Sequence, residues 1–217
     1  MGHMRGRFIA FEGGEGAGKS TQAQLLAEAL QARDIEFELT REPGGTEGAE
    51  AIRELLLSPP GEGWGAESEA LLFAAARADH VAQRIRPALE HGSWVICDRF
   101  FDSSRAYQGG AGGLGDAAIT QLHKFGSAGL RPDLTILLEV DEDRLAERLA
   151  ARDGDSSDAI GGRAITYHRA VAQSFRMLAM ADRKGFAVLD GGKPQAEVHH
   201  SVMDALAPYL DADAKHC

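Results

Sequence analysis

The sequence predicts an α/β fold with three layers, in which helices cover both faces of a central five-stranded parallel sheet. The first observation is that apolar runs alternate with segments of helical periodicity along the 217 residues, a pattern typical of strands joined by helical crossovers. The second is that the apolar runs are continuous, as expected for strands that are buried on both faces. Because such crossovers connect parallel strands, the two observations together predict an α/β/α arrangement.

Five strands and seven helices follow from this pattern. The predicted strands span residues 7–12, 36–41, 94–98, 134–140 and 186–190. The predicted helices span residues 19–32, 48–57, 67–91, 116–126, 142–152, 163–183 and 195–210. Ligands of open parallel sheets bind beyond the carboxyl ends of the strands, so we expect functional residues directly after those ends.

Composition and length favour a single domain of a cytoplasmic protein. Residues 1–4 are interpreted as an expression scar and residues 5–217 as one domain. A formal net charge of -10 argues against a general nucleic-acid binder. No apolar run approaches the roughly 18 residues that a membrane helix needs. The two cysteines, Cys97 and Cys217, provide no disulfide framework and no metal-ligand spacing, which fits a reducing compartment.

The most specific motif is a phosphate loop between the first strand and the first helix. Its residues are Gly13, Gly14, Glu15, Gly16, Ala17, Gly18, Lys19, Ser20 and Thr21. Glycines allow several backbone N–H groups to point at one anion above a helix N-terminus. Lys19 supplies a charge for the β- and γ-phosphates, and the Ser20 hydroxyl can ligate Mg²⁺. The motif therefore predicts binding of a nucleoside triphosphate.

Two motifs at later strand ends predict a second phosphate site. Arg41 ends the second strand and is followed by a Pro-Gly-Gly turn that begins at Pro43. Asp98 ends the third strand, where P-loop enzymes place a carboxylate that organises Mg²⁺. Arg99 beside it can donate to a phosphate through its planar guanidinium. Each motif alone is also compatible with an ordinary surface turn.

A pocket for a base and a sugar is predicted from an aromatic ring, a guanidinium and a polar segment. Phe73 and Arg77 stand one helical turn apart and share a face, so the ring can stack on a base while the guanidinium donates to a base carbonyl. The polar segment after Arg99 contains Ser103, Ser104, Tyr107 and Gln108. Taken alone, Phe73 would be interpreted as a core residue and Arg77 as a residue at the solvent-exposed edge of that core. The polar segment would be a short capped helix before a glycine loop.

A polar, glycine-rich stretch at approximately residues 152–163 is interpreted as a mobile lid over the nucleotide. Arg148, Arg152 and Arg163 flank it. Phosphoryl transfer builds up negative charge on the moving group, and arginine commonly offsets that charge. We expect at least one of the three arginines to act in catalysis. A disordered surface loop between two solvated helix faces is the alternative.

Together these motifs resemble bacterial thymidylate kinases, which belong to the P-loop nucleoside monophosphate kinases. The matching segments are Glu12 with the phosphate loop, Arg-Glu-Pro-Gly-Gly-Thr from Arg41, Phe73 with Arg77, Asp98-Arg99-Phe100, and Ala-Tyr-Gln-Gly-Gly from Ala106. The resemblance implies a P-loop NTPase-type fold. It also implies transfer of the γ-phosphoryl group of ATP to dTMP, with Mg²⁺ as cofactor and with dTDP and ADP as products.

The resemblance also implies a role for each site residue. The ATP site would comprise the nine residues of the phosphate loop and Arg152. The dTMP site would comprise Glu12, Arg41, Pro43, Phe73, Arg77, Asp98, Arg99, Ser103, Ser104, Tyr107 and Gln108. The catalytic set would comprise Glu15, Lys19, Arg99, Arg148, Arg152 and Arg163, with Ser20 and Asp98 holding Mg²⁺. Phe73 would stack on thymine, Arg77 would donate to its O4, and Tyr107 would favour deoxyribose.

One departure from the family concerns the arginine of the lid. The phosphate loop here carries no arginine, and bacterial members supply it from the lid instead. The family's lid pattern, Asp-Arg-Ile/Phe-Glu, aligns with residues 158–161 and places Ala159 at the position of the arginine. Arg163 lies one helical turn further on. We hypothesise that Arg163 replaces the missing arginine, with Arg148 and Arg152 as alternatives.

The expected partners are the small molecules ATP and dTMP, with neither nucleic acid nor a membrane, and the family implies a homodimer. The loop over residues 190–194 is expected beside adenine. Two other functions remain open at this point. A kinase of the same fold acting on another nucleoside monophosphate would need a different acceptor pocket. A P-loop regulatory protein would need no second phosphate site and would usually carry an Asn-Lys-x-Asp sequence, which this chain lacks.

Overall fold

The computed structural model describes residues 5–141 and 159–214, and its centre is a five-stranded sheet. The strands are β1 (Phe8–Glu12), β2 (Phe37–Arg41), β3 (Trp94–Asp98), β4 (Leu134–Glu139) and β5 (Phe186–Asp190). They lie in the order β2-β3-β1-β4-β5, and all neighbours pair in parallel. The predicted strands are confirmed, and their bounds agree to within about one residue.

The described helices also follow the prediction, with two differences. They are α1 (Lys19–Gln31), α2 (Glu47–Leu57), α3 (Ala66–His80), α4 (Arg86–Glu90), α5 (Phe101–Ser104), α6 (Asp116–Ser127), α7 (Ile165–Ala181) and α8 (Gln195–Ala214). A π-helical segment, Val81–Ile85, joins α3 to α4, and another, Arg105–Ala111, continues α5. The single helix predicted over 67–91 is thus continuous but contains a π-helical segment. The helical segment over 101–111 is not among the predicted helices. The helix predicted over 142–152 lies outside the described residues.

Both faces of the sheet are covered, which confirms the three-layer arrangement. β1 lies in the middle of the sheet and all its residues are buried. Ile9 and Phe11 pack on one face with Leu26 of α1 and Val202 of α8. Phe8 packs on the opposite face, against the helical run from α3 to α4. Alternate residues of one strand thus contribute to two separate hydrophobic layers.

The register of the sheet brings the carboxyl ends of three strands together. Phe11 of β1 lies opposite Asp98 of β3, and Arg41 of β2 lies opposite the same Asp98. The phosphate loop therefore leaves β1 beside the ends of β2 and β3, where ligands of such sheets bind. Within the described residues, no helix is both long and apolar enough to cross a membrane.

Candidate active site

The phosphate loop packs closely against β4 and holds a buried lysine. Gly13 has a φ of 142°, and a Cβ added there would lie 2.4 Å from the carbonyl oxygen of Leu138, so only glycine fits. Lys19 is 6% exposed and donates from Nζ to the carbonyl oxygen of Gly14 at 2.6 Å. Burial, together with the positive charge of Arg99, lowers the pKa of Lys19 to about 8. A desolvated ammonium group is thus held beside the loop.

Ser20 and Asp98 form a donor set that fits Mg²⁺. The exposed Ser20 hydroxyl donates a hydrogen bond to Oδ2 of Asp98, whereas Oδ1 of Asp98 is buried and has no hydrogen-bond partner. A buried carboxylate oxygen without a partner is costly unless a cation or a water completes it. Mg²⁺ takes such oxygen ligands together with phosphates and waters. In the described part of the chain, no cluster of three His, Cys, Asp or Glu side chains offers an all-protein metal site.

Arg99 is held against the phosphate loop. Its Nη1 donates to the carbonyl oxygen of Gly13 at 3.1 Å, and its Nη2 forms an ion pair with Glu15. The guanidinium lies 5.1 Å from the centre of the Tyr107 ring, and the Tyr107 hydroxyl donates to Glu15 at 3.3 Å. Arg99 also has a φ of 66°, in the left-handed region that side chains disfavour. The chain therefore accepts local strain to fix this guanidinium beside the loop.

Glu12 lies beneath the site and supports the turn that carries Arg99. It is fully buried and accepts hydrogen bonds from the backbone N–H groups of Phe100 and Ser103, each at 2.9 Å, and from the Ser103 hydroxyl at 2.6 Å. Burial, together with the nearby Asp102 carboxylate, raises the pKa of Glu12 to about 7. Glu12 is not among the residues that line the cavity described below. Its direct contact with dTMP stays a prediction.

The motif after β2 brings in an arginine that the sequence analysis missed. Arg41 is exposed and pairs with Glu50 of α2 at 3.0 Å. Arg53, on the same helix, donates from Nη1 to the carbonyl oxygen of Pro43 at 2.7 Å. Arg53 could have been found from the sequence, because α2 begins directly after the Pro-Gly-Gly turn and Glu50 and Arg53 share one helix face.

Arg77 is buried and is fixed by three acceptors. Its Nε donates to Oε2 of Glu42 at 2.7 Å, and its Nη2 donates to the carbonyl oxygen of Phe100 at 3.2 Å and to Oγ of Ser104 at 3.0 Å. No described residue accepts a hydrogen bond from Nη1. Burial alone would raise the pKa of Glu42, but Arg77 and His80 lower it, so the carboxylate stays ionised.

Gln108 is linked to Arg163 through Glu69 of α3. Nε2 of Gln108 donates to Oε1 of Glu69 at 2.8 Å, and Arg163 pairs with Oε2 of the same carboxylate. Arg163 also donates to the Tyr167 hydroxyl at 2.6 Å, and that hydroxyl donates to the carbonyl oxygen of Tyr107 at 3.0 Å. Arg163 is therefore docked on α3 and α7 and does not line the cavity.

The predicted lid lies mostly outside the described residues. Residues 159–163 are described, and the side chain of Ile160 contributes to the wall of the cavity. The backbone N–H of Ala159 donates to the carbonyl oxygen of Leu57 at 3.3 Å, which ties this end of the lid to α2. Arg148 and Arg152 lie outside the described residues, and their roles stay predictions.

Most of the predicted site residues meet in one cavity of about 410 Å³. The predicted residues that line it are Glu15, Gly16, Gly18, Lys19, Ser20, Thr21, Arg41, Pro43, Phe73, Arg77, Asp98, Arg99, Ser103, Ser104, Tyr107 and Gln108. Residues outside the prediction complete the wall, namely Glu42, Arg53, Leu57, Phe100 and Ile160. The cavity thus combines a phosphate loop, a second group of guanidiniums and an aromatic wall.

A smaller cavity of about 240 Å³ lies against the phosphate loop and the loop after β5. Ala17, Gly191 and Lys193 contribute to its lining. A Cβ added to Gly191 would lie 3.1 Å from the carbonyl oxygen of Ala17, so the two loops approach closely. The loop expected beside adenine therefore adjoins the phosphate loop, and its contact with adenine stays a prediction.

The chain is similar to known proteins along nearly its whole length. The family model described as thymidylate kinase matches residues 11–202. A thymidylate kinase from Rhizorhabdus wittichii is 54% identical over 208 residues, covering 95% of this chain and 100% of the relative. One from Nitrobacter winogradskyi is 48% identical, covering 97% and 93%. The crystal structure of thymidylate kinase from Ehrlichia chaffeensis has a TM-score of 0.75 and 32% identity, covering 94% of this chain and 99% of that chain.

Proposed function

The chain belongs to the thymidylate kinase family, and we propose that its cavity is where the γ-phosphoryl group of ATP is transferred to dTMP, giving ADP and dTDP. One observation carries the proposal. The same cavity is lined by Lys19 of the phosphate loop, by the guanidiniums of Arg41 and Arg99, and by Phe73 with Arg77. A protein that only bound or hydrolysed a nucleoside triphosphate would need the first of these three groups alone.

On the donor side, Lys19 and the N–H groups of residues 13–21 bind the β- and γ-phosphates. Because burial lowers the pKa of Lys19 to about 8, an adjacent phosphate anion stabilises the charged form, so ATP binding and protonation of Lys19 favour each other. Ser20 and Asp98 are the residues that would hold Mg²⁺, which neutralises part of the triphosphate charge when bound. The 240 Å³ cavity beside Gly191 is the proposed place of adenine.

On the acceptor side, Arg41, Arg53 and Arg99 bind the phosphate of dTMP. An oxygen of that phosphate attacks the γ-phosphorus, and the bond to the bridging oxygen of ADP breaks. Phe73 stacks on thymine, and the free Nη1 of Arg77 donates to its O4. The protein contributes positioning and charge neutralisation rather than covalent chemistry.

Arg163 is the proposed lid arginine, since Ala159 occupies the position expected for it. Arg163 is paired with Glu69 and Tyr167, so it must leave both partners to reach the phosphates. Its side chain is 28% exposed, so the residue keeps some contact with water. The proposal therefore treats the pairing with Glu69 as a resting position.

The test is ADP release from ATP and Mg²⁺ with a panel of monophosphates: dTMP, dUMP, UMP, CMP, AMP and GMP. We expect release that depends on dTMP, with dUMP disfavoured by the modest 1–3 kcal/mol typical of a methyl-sized contact. Arg99→Ala should abolish the dependence, whereas Arg33→Ala, at an exposed arginine in the turn after α1, should not. Preference for another monophosphate would overturn the acceptor assignment, and release that ignores every acceptor would leave a nucleotide switch or an ATPase.

A homodimer is part of the proposal, and three packed helices are its proposed interface. Leu55 of α2, Leu71 of α3 and Phe125 of α6 are 44%, 56% and 95% exposed. α3 packs against both α2 and α6, so the three side chains lie on one helical layer. Light scattering should give a dimer for the wild type and a monomer for Phe125→Lys. Met177→Lys, on α7, is the matched exposed control and should stay dimeric.

A cytoplasmic location also belongs to the proposal. ATP and dTMP are metabolites of the cytoplasm, and the proposed reaction requires both. Cys97 is a buried free thiol, which fits a reducing compartment. Fractionation of the native host with an antibody to the chain would test this, and recovery in the membrane fraction would contradict it.

A further inference from the structure

A buried histidine at the end of α3 has no role in the mechanism above. His80 is 0% exposed, and it stands three residues after Arg77 on the same helix. Residues three apart share a helix face, so both side chains point toward the turn after β2. A fully buried polar ring in this position is expensive unless its nitrogens are satisfied. The contacts of His80 therefore indicate what it does.

The two ring nitrogens of His80 connect β2 to the carboxylate that holds Arg77. Nδ1 lies 3.0 Å from Oε1 of Glu42, and Nε2 lies 2.7 Å from Oγ1 of Thr40. The second oxygen of Glu42, Oε2, accepts the hydrogen bond from Nε of Arg77. A continuous chain of buried hydrogen bonds therefore runs from Thr40 through His80 and Glu42 to the guanidinium.

The direction of the hydrogen bond between His80 and Glu42 is fixed by chemistry. Glu42 is ionised, because its pKa is lowered by Arg77 and His80 against the effect of burial, and an ionised carboxylate only accepts. Nδ1 of His80 must therefore carry the proton that it donates. In the neutral ring Nε2 is then an acceptor, and the Thr40 hydroxyl donates to it. This series of hydrogen bonds engages both oxygens of Glu42, so the carboxylate is not free to rotate toward another donor.

Gly45 provides the space that this chain requires. A Cβ added to Gly45 would lie 2.5 Å from Nε2 of His80 and 2.6 Å from Oγ1 of Thr40. Gly45 also has a φ of 92°, which side chains disfavour. The second glycine of the Pro-Gly-Gly turn is therefore explained by close approach to the His80–Thr40 pair, independently of any phosphate.

We propose that His80 is a positioning residue for base selection, which holds Glu42 so that Nη1 of Arg77 faces the group at C4 of the pyrimidine. This inference rests on the proposed function, since it assumes that dTMP occupies the acceptor pocket. Arg77 is donor-only, and its Nη2 is already committed to Phe100 and Ser104. A 4-oxo group can accept from Nη1, whereas a 4-amino group would leave two donors facing each other.

The physical reason to expect discrimination is the cost of an unpaired buried donor. A site built to hydrogen-bond a substrate group rejects an analogue that lacks the matching group far more strongly than an apolar pocket does. That rejection depends on a guanidinium that cannot turn away to find another partner. Without His80, Oε1 of Glu42 is unpartnered, the carboxylate gains freedom, and Arg77 can tilt with it. We therefore expect the loss of His80 to reduce base discrimination more than it reduces turnover.

The test compares dTMP with 5-methyl-dCMP, which carries an amino group in place of the oxygen at C4 and, with it, an N3 that accepts a hydrogen bond instead of donating one. We expect His80→Leu to reduce the ratio of kcat/KM values for the two substrates by about tenfold, as for loss of a hydrogen bond to a charged group. KM for dTMP should rise, while KM for ATP and kcat at saturation should stay within about threefold of wild type. His80→Asn, whose amide N–H can still donate to Glu42, should recover most of the ratio.

Two matched variants keep the inference falsifiable. Thr40→Val removes the hydroxyl at the far end of this series of hydrogen bonds with little change in volume. It should lower the ratio of kcat/KM values by a smaller factor. His123→Gln removes another buried histidine, which contacts the carbonyl oxygen of Leu130 and not Glu42, and should leave the ratio unchanged. A wild-type ratio in both His80→Leu and Thr40→Val would overturn the inference and leave His80 a packing residue. Wild-type protein that ignores dTMP would instead overturn the proposed function.

Discussion

Substitution of Arg163 by alanine tests the proposed lid arginine most directly. In the resting structure Arg163 pairs with Glu69, whose side chain is 10% exposed, and donates to the Tyr167 hydroxyl at 2.6 Å. A partly buried ion pair of this kind contributes on the order of 1 kcal/mol. Breaking this ion pair would lower the rate by about a factor of five. That loss is small compared with the rate gain expected when Arg163 stabilises the transferring phosphoryl group.

The two roles open to Arg163 differ greatly in magnitude. An arginine that stabilises the charge on the transferring phosphoryl group contributes about 10³-fold or more to kcat. An arginine that only holds Glu69, and through it Gln108, would affect KM for dTMP by the few-fold expected of a partly exposed pair. We therefore expect Arg163→Ala to lower kcat by at least about 100-fold, with KM values nearly unchanged.

The assay is steady-state ADP release at saturating ATP, Mg²⁺ and dTMP, with Glu69→Gln as the matched control. Glu69→Gln breaks the same ion pair but leaves the guanidinium in place, so kcat should stay within about threefold of wild type. If Arg163→Ala also stays within that range, Arg163 is not the lid arginine. Arg148 and Arg152 would then be the residues to substitute next.

Three further predictions concern Glu12, Asp98 and Gly45. Glu12 has a folded-state pKa of about 7, above its ordinary value of 4.5, so its contribution to stability is complete below the lower value and is lost as pH rises through the higher one. Glu12→Gln should therefore remove about 3 kcal/mol of the pH dependence of unfolding between about pH 4 and 8, measured by urea denaturation; an unchanged slope would contradict this. Asp98→Asn should raise the Mg²⁺ concentration for half-maximal activity about tenfold, because the ion loses a charged ligand; an unchanged Mg²⁺ titration would remove Asp98 from the metal site. Gly45→Ala should lower the free energy of unfolding by about 2 kcal/mol or more through its clash with His80, whereas Gly65→Ala, with open space around it, should change it little.

The strands and the phosphate-binding motifs could be predicted because their signals are local. A continuous apolar run marks a strand wherever it packs, and Lys19 or Asp98 follows a strand end within a few residues. The π-helical segment Val81–Ile85 could not be predicted in the same way. One extra residue per turn leaves the apolar pattern of a helix almost unchanged, so the sequence indicates one regular helix over 67–91.

The helical run over 101–111 shows how glycine can mislead. Gly109 and Gly110 suggest a flexible loop when read in sequence. A Cβ on Gly110 would lie 2.0 Å from Oγ of Ser174 on α7, and one on Gly109 would lie 3.3 Å from the Ile119 side chain. These glycines therefore permit close packing of helices rather than a turn. A sequence alone does not reveal which neighbour approaches from a distant helix.

The carboxylate partners of the site arginines could not be predicted from the sequence. In the structure these ion pairs are of two kinds, exposed and buried. Arg41 pairs with Glu50 at the surface, where both side chains are at least 40% exposed and the pair is easily exchanged for a phosphate. Arg77 pairs with Glu42 where both are nearly inaccessible, and such a pair is too costly to break during turnover. Carboxylates of the chain thus offset part of the positive charge that lines the cavity. In the proposed mechanism, ligand phosphates would replace exposed carboxylates such as Glu50, while the buried Glu42 would stay and orient Arg77.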